Sequence, residues 1–110
     1  MIEMIAQKYL TDHLTVPVVL SHEAGLPESY IILEKTSSAK VNQVNSATIA
    51  FQSYAPSLYK AAELNEQLKE AVESMIELDL IFGVHLNSDY NFTDTETKQF
   101  RYQAVFDINY

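Results

Sequence analysis

Acidic residues near the carboxyl end of the chain come closest to a metal-binding pattern. Asp89, Asp94 and Glu96 lie in one short polar stretch. A calcium loop of the EF-hand type needs alternating oxygen donors, a central glycine and a closing glutamate. This stretch contains no glycine and has a different spacing, so we predict no metal site there.

The histidines give no stronger signal for metal binding or catalysis. His13, His22 and His85 fall on different predicted elements, and none has a second ligand at metal spacing. A zinc site needs three or four converging ligands. We therefore expect these histidines to be structural or surface residues.

Motifs for covalent catalysis and cofactor binding are also missing. The chain has no cysteine and two glycines in total. It contains no G-x-S-x-G elbow, no H-E-x-x-H pair and no glycine-rich phosphate loop. We accordingly predict that the protein is not an enzyme, with no catalytic residue, no cofactor and no metal.

The charge of the chain restricts its partners. Fifteen acidic residues stand against seven basic ones, which gives a net charge of −8. Proteins that bind nucleic acid usually carry the opposite sign, because phosphate contacts supply much of the affinity. No stretch reaches the ~18 apolar residues of a membrane span, and the amino end lacks the basic start of a secretory signal. We expect neither nucleic-acid recognition nor membrane association.

Hydrophobic periodicity divides the chain into elements of one domain, residues 1–110. Pro17, Gly25, Pro27 and Pro56 mark the breaks between several of them. In chain order, the predicted elements are a helix at 1–14, a short strand at 16–20, a strand at 30–37, a polar turn-like stretch at 38–45 with room for strand edges at Val41 and Val44, a strand at 46–54, a long helix after Ser57, a strand within 79–87, a loop at 89–100 and a strand from 101 to 110.

This order predicts an α+β fold. The pattern α-β-β-β-α-β-β implies a mostly antiparallel sheet of about five strands with two helices. The 46–54 segment is expected to pair antiparallel with 30–37. The long helix carries many glutamates on its exposed side, which we interpret as a solvated face, with an acidic docking surface as the alternative.

Aromatic residues in the predicted loop 89–100 are candidates for a contact surface. Tyr90, Phe92 and Phe100 stand among polar residues, where burial within one subunit is harder to arrange. Aromatic side chains are enriched at protein–protein interfaces. The alternative is a loop that folds back on its own sheet. The following strand alternates, with Tyr102, Ala104, Phe106, Ile108 and Tyr110 predicted on one face.

The same region resembles a known family. Tail terminator (tail completion) proteins of long-tailed phages and prophages, some of whose relatives are called minor capsid proteins, commonly have an aromatic-Asn-Phe-x-Asp loop followed by Arg-Tyr-Gln and an alternating strand. Here Tyr90, Asn91, Phe92 and Asp94 match the loop, and residues 101–103 match the Arg-Tyr-Gln run. Thr93 departs from the proline often seen there. The strand pair YIILEKTS and SATIAFQSYA, leading into a long Ala/Glu-rich helix, is also similar to the family.

The resemblance implies a structural role in the virion. Such proteins form a ring, typically hexameric, on the head-proximal end of the tail tube, where they stop tube growth and join the tail to the head. The implied partners are other copies of the chain, the major tail tube protein and a head-completion or neck protein. The implied locations are the head–tail junction of the virion and, during assembly, the host cytoplasm. The residues expected at the subunit or tail-tube interface are Tyr90, Asn91, Phe92, Asp94, Phe100 and Arg101.

Two other functions stay open at this point. One is a head-completion or neck adaptor protein of the same kind of virion. The other is a small non-catalytic ligand-binding α+β domain, which would need a concave apolar pocket with converging polar groups.

Overall fold

The helices and strands follow one another along the chain in the order that the sequence predicts. The computed structural model describes residues Met1 to Tyr110. Its elements are α1 (Ile2–His13), β1 (Val18–Val19), β2 (Tyr30–Val41), β3 (Val44–Ala55), α2 (Leu58–Glu73), a short 3-10 helix (Ser74–Glu77), β4 (Gly83–Asn91) and β5 (Phe100–Asn109). The α+β class, the two helices and the mostly antiparallel five-stranded sheet are confirmed.

The strands form one sheet in the order β1-β2-β3-β5-β4. Strand β1 runs parallel to β2, and all other neighbours are antiparallel. The predicted pairing of 30–37 with 46–54 is confirmed, with Tyr30 opposite Tyr54. The carboxyl-terminal strand lies inside the sheet between β3 and β4, which places Gln103 opposite Gln52.

Both helices pack on one face of the sheet, which we call the helix-covered face. Helix α2 begins at the Ser57 cap, whose hydroxyl accepts a hydrogen bond from the Lys60 amide at 3.2 Å. Its apolar stripe recurs at three- and four-residue steps and turns toward the alternating side chains of β3 and β5. The central contacts of this core come from Leu64, Leu68, Val72, Ile49, Phe51, Ala104, Phe106 and Ile108.

The opposite face of the sheet, the open face, carries no helix. A small apolar cluster covers one end of it, where Val19, Ile32 and Tyr54 are buried and Leu26 and Tyr30 pack beside them. The remainder of this face is lined by polar and aromatic side chains of β3, β4 and β5, since alternate residues of a strand point to opposite faces.

The β2–β3 hairpin extends beyond the helices. The stretch 38–45, predicted to be turn-like with room for strand edges at Val41 and Val44, is mostly strand, because β2 continues to Val41 and β3 begins at Val44. Only Asn42 and Gln43 form the turn, with φ angles of 50° and 68°. Residues 34–44 are all exposed, and the projecting hairpin contributes to a molecule of 44 × 25 × 23 Å. A polar, exposed hairpin lacks the apolar alternation that reveals a half-buried strand.

The predicted loop at 89–100 is also too long. Tyr90 and Asn91 belong to β4, and Phe100 begins β5, so the connection covers only residues 92–99. Strand β4 lies at the sheet edge and has an irregular register between Leu86 and Ser88. The second half of β4 is largely exposed and polar. It therefore lacks the apolar alternation from which a strand is predicted. Neither helix is both long and apolar enough to cross a membrane.

Candidate functional site

The segment from Tyr90 to Arg101 meets the open face of the sheet and forms the candidate site. Asn91 and Asp94 organise its backbone. The Asn91 Oδ1 atom accepts a hydrogen bond from the Thr93 amide at 3.0 Å, and Asp94 Oδ1 accepts from the amides of Glu96 at 3.0 Å and Thr97 at 3.4 Å. Side-chain oxygens that bond to amides two residues later are typical of Asx turns.

The carboxylate of Asp94 is stabilised by these turn amides. The Glu96 amide, followed by bonds from Thr97, lowers the pKa of Asp94 below its usual value, and the charge of Arg101 adds a smaller effect in the same direction. Hydrogen bonds to the charged form of a carboxyl favour that form. Asp94 is therefore negatively charged at neutral pH, and its carboxylate holds the turn through these hydrogen bonds.

Thr93 ties the loop to the strand that follows it. Its hydroxyl lies within hydrogen-bond distance of both backbone groups of Arg101, at 3.3 Å from the amide nitrogen and 3.4 Å from the carbonyl oxygen. Its own amide donates to Asn91. A proline at position 93 could make none of these bonds, because it has neither a hydroxyl nor an N–H group. In this chain, the hydrogen bonds of Thr93 to Asn91 and Arg101 hold the two ends of the loop together.

Arg101 connects the loop to the open face. Its Nε donates to the Phe92 carbonyl at 2.6 Å, and its Nη1 donates to the Tyr54 hydroxyl at 2.9 Å. The guanidinium carbon lies 4.5 Å from the centroid of the Phe92 ring and 5.6 Å from that of Tyr54. Both distances fall within the range of cation–π contacts. We call Tyr90, Phe92, Arg101 and Tyr54 the aromatic–arginine cluster.

A chain of hydrogen bonds crosses the open face from this arginine. The Tyr54 hydroxyl donates to Gln52 Oε1 at 3.3 Å, and Gln52 Nε2 donates to Gln103 Oε1 at 2.9 Å. Gln103 Nε2 then donates to the Tyr90 hydroxyl. Arginine has only donors, so the Tyr54 oxygen that accepts from Arg101 can direct its own proton toward Gln52. The direction of donation is therefore from Arg101 to Tyr90.

Stacked rings complete the site beside Tyr54. The Tyr30 and Tyr54 rings are stacked with centroids 4.7 Å apart and planes 12° apart, and His22 meets both rings edge-on. Burial raises the pKa of Tyr30, so this phenol stays neutral at physiological pH. These contacts hold Tyr54, only 3 % exposed, in a fixed position under Arg101.

Solvent exposure separates the predicted interface residues into two groups. Tyr90 remains 42 % exposed and Phe92 39 % exposed, although their rings touch edge-to-face at 5.8 Å. The side-chain oxygens of Asn91 and Asp94 accept hydrogen bonds from amides of the turn. Phe100 is partly buried in β5, beside a cavity of about 270 Å³. The loop folds back on its own sheet, as the alternative interpretation has it, and two aromatic rings stay partly exposed, so a contact surface here remains a prediction.

The acidic helix and His13 lie outside this cluster, whereas His22 contacts it at Tyr54. Lys69 of α2 contacts Glu66 at 2.8 Å and Asp89 of β4 at 3.0 Å, so Asp89 is engaged in an ion pair. His13 stacks on Tyr9 with centroids 3.9 Å apart. No group of three or more His, Asp or Glu side chains comes together in a metal-binding arrangement.

Sequence reasoning missed three residues of the site. Tyr54, Gln52 and Gln103 reach it from β3 and β5, through a strand pairing that joins residues about 50 positions apart. Of these three, only Gln103 could have been found from the sequence, because it belongs to the Arg-Tyr-Gln run of the motif. Protein-family models and curated proteins include no significant match to this chain.

Proposed function

We propose that this protein is a tail terminator of a long-tailed phage or prophage. In this role it caps the head-proximal end of the tail tube, stops elongation and provides the surface that joins the head. Its partners are other copies of itself in a hexameric ring, together with the major tail tube protein and a head-completion protein. It would reside at the head–tail junction of the virion after assembly in the host cytoplasm.

The observation that supports this proposal is the way the motif residues act as one unit. Asn91 and Asp94 fold the loop, and Arg101 fixes it to the open face through Phe92 and Tyr54. The outcome is a hydrogen-bonded loop beside strand β4 in which Tyr90 and Phe92 stay partly exposed to solvent. A preformed aromatic surface suits a protein that docks on a partner, because little conformational freedom is lost on binding.

A ring also requires contacts of a particular kind. Subunits related by rotation use two different patches, and each patch meets the other one on the next subunit. The loop surface around Tyr90 and Phe92 is one patch of this chain. Strand β4, which carries Tyr90, is the last strand of the sheet, and its outer edge has no neighbouring strand. The backbone groups along that edge can also pair with another chain.

Electron microscopy of particles made without the gene tests the proposal. If the protein is a tail terminator, its absence should give overlong tails of variable length, and supplying the gene from a plasmid should restore uniform tails. Full heads beside free tails of normal length would contradict the proposal and indicate a neck protein. Normal virions would exclude both roles.

A further inference from the structure

The guanidinium of Arg101 has no acidic partner within the chain. Arg101 is the single arginine in a sequence with 15 acidic residues. The ion pairs of the structure involve His13, Lys35 and Lys69, and none involves Arg101. Two of its N–H groups bond to the neutral oxygens of Phe92 and Tyr54, and the others have no acceptor in the chain. The charge is thus held in place without being neutralised.

The hydroxyl of Tyr90 is a second donor without an acceptor. It receives the last bond of the chain that starts at Arg101, from Gln103, and makes no further bond. Its proton is therefore free to be donated outward from a ring that is 42 % exposed. The Phe92 ring is close to both donor residues, with its centroid 4.5 Å from the Arg101 guanidinium carbon and 5.8 Å from the centroid of the Tyr90 ring.

We propose that Arg101 and Tyr90 form a binding site for a carboxylate. Three N–H groups of the Arg101 guanidinium remain as charged donors for a carboxylate, because Nε and one N–H of Nη1 are already bonded to Phe92 and Tyr54, and the Tyr90 hydroxyl adds a neutral donor. Arg101 is already fixed by Phe92 and Tyr54, so binding costs little side-chain entropy. A carboxylate with one negative charge is favoured over a phosphate dianion, because one cation must offset the repulsion from a chain of net charge −8.

Asp94 does not fill this site. Its Oδ1 atom accepts two amides of the turn, and it forms no ion pair with Arg101. The charge of Arg101 is the smallest of the effects that lower the pKa of Asp94. The carboxylate must therefore come from outside the subunit.

The source to which we commit is an Asp or Glu side chain of a neighbouring copy. The chain carries unpaired glutamates along α2, such as Glu63, Glu70 and Glu73, so each subunit offers the ligand as well as the receptor. Two different patches that fit each other are what a closed ring uses. This choice of source rests on the proposed function, whereas the carboxylate chemistry itself does not.

Acetate is the probe for the chemistry. A single arginine gives a single Nε–Hε signal in the NMR spectrum, so the resonance of Arg101 identifies itself. Sodium acetate should shift this signal in a saturable way, beyond the shift caused by sodium chloride at equal ionic strength. Tyr90→Phe, which removes only the outward hydroxyl, should weaken acetate binding roughly threefold or more. Tyr59→Phe, at a tyrosine 76 % exposed in α2, is the matched control and should change nothing.

The outcomes separate this inference from the proposed function. Equal shifts with acetate and chloride, a stronger response to phosphate, or no effect of Tyr90→Phe would each overturn the carboxylate site, whatever the tails look like. Sedimentation at high protein concentration tests the source. Self-association that acetate and Tyr90→Phe both reduce supports a neighbouring copy, and acetate binding by a strictly monomeric protein would overturn that source.

Discussion

Lys69 Nζ lies 3.0 Å from Asp89 Oδ2 and joins helix α2 to the edge strand β4. The same ammonium contacts Glu66 at 2.8 Å, and the lysine side chain is only 16 % exposed. These carboxylates, Glu66 first, raise the pKa of Lys69 above its usual value. The raised pKa means that the ammonium contributes fully at neutral pH and loses its contribution only as the pH rises through that pKa.

Removing this cation should destabilise the fold. Lys69→Met keeps the apolar stem but leaves Glu66 and Asp89 without their shared partner, and we expect a loss of about 1 kcal/mol in the free energy of unfolding. Urea denaturation measures it. Lys60→Met on the same helix is the control, because Lys60 has no ion pair. Equal effects of the two substitutions would show that the bridge contributes nothing.

The hairpin turn offers a stabilising substitution. Gln43 has a φ of 68°, in the left-handed region where a side chain is strained and glycine is not. Gln43→Gly should raise the free energy of unfolding by roughly 0.5 kcal/mol, since part of the relief is offset by the greater freedom of glycine in the unfolded chain. Gln43→Val should lower it. A loss of stability with glycine would contradict this account of the turn.

The hairpin also shows where sequence reasoning fails. Strand β5 could be predicted to its last residues, because Ala104, Phe106 and Ile108 recur at every second position and are buried. The Asn42–Gln43 turn lacks the glycine that usually marks a two-residue turn, so the sequence does not show where β2 ends and β3 begins. Gln52 and Gln103 meet only through the register of distant strands. Local patterns predict the elements, whereas the open-face site depends on their pairing.

Low pH should loosen the loop at Asp94. Its pKa is lowered in the folded state, so its contribution is present above the ordinary aspartate pKa and is lost as the pH falls through the lowered value. We expect the protection of the Glu96 and Thr97 amides, measured as their exchange relative to the intrinsic rate of an unstructured peptide at the same pH, to fall in strong acid. Hydrogen exchange followed by NMR measures this. Asp94→Asn, which keeps an oxygen acceptor without the charge, should remove the pH dependence, and an unchanged acid response would contradict the assignment.

Tyr9 links helix α1 to the end of α2. Its hydroxyl donates to Glu77 Oε1 and lies within hydrogen-bond distance of Ser74 Oγ, both at 2.8 Å. Tyr9→Phe should lower the free energy of unfolding by about 1 kcal/mol, measured by urea denaturation against Tyr59→Phe.

The pH dependence of this link follows from its ionisation. Burial raises the pKa of Tyr9. The bonded neutral phenol therefore stabilises the fold below the pKa of an unfolded tyrosine, about 10, and that stability is lost as the pH rises through the folded-state value. In this alkaline range, the free energy of unfolding should change less with pH for Tyr9→Phe than for the wild type. Parallel plots of this free energy against pH would argue against the link.

Tyr90 and Phe92 together test the docking surface. Both rings are partly exposed, so Tyr90→Ala with Phe92→Ala should leave the protein folded while removing most of the apolar contact that a partner could bury. We expect the variant to fail to restore uniform tails in the gene-deleted phage, measured as tail lengths in electron micrographs, after urea denaturation has shown that it is still folded. The matched control is Tyr59→Ala with Phe82→Ala, which removes a tyrosine and a phenylalanine that are 76 % and 72 % exposed elsewhere on the surface. Uniform tails with a folded Tyr90/Phe92 variant would show that these rings do not contact the tail or a neighbouring subunit.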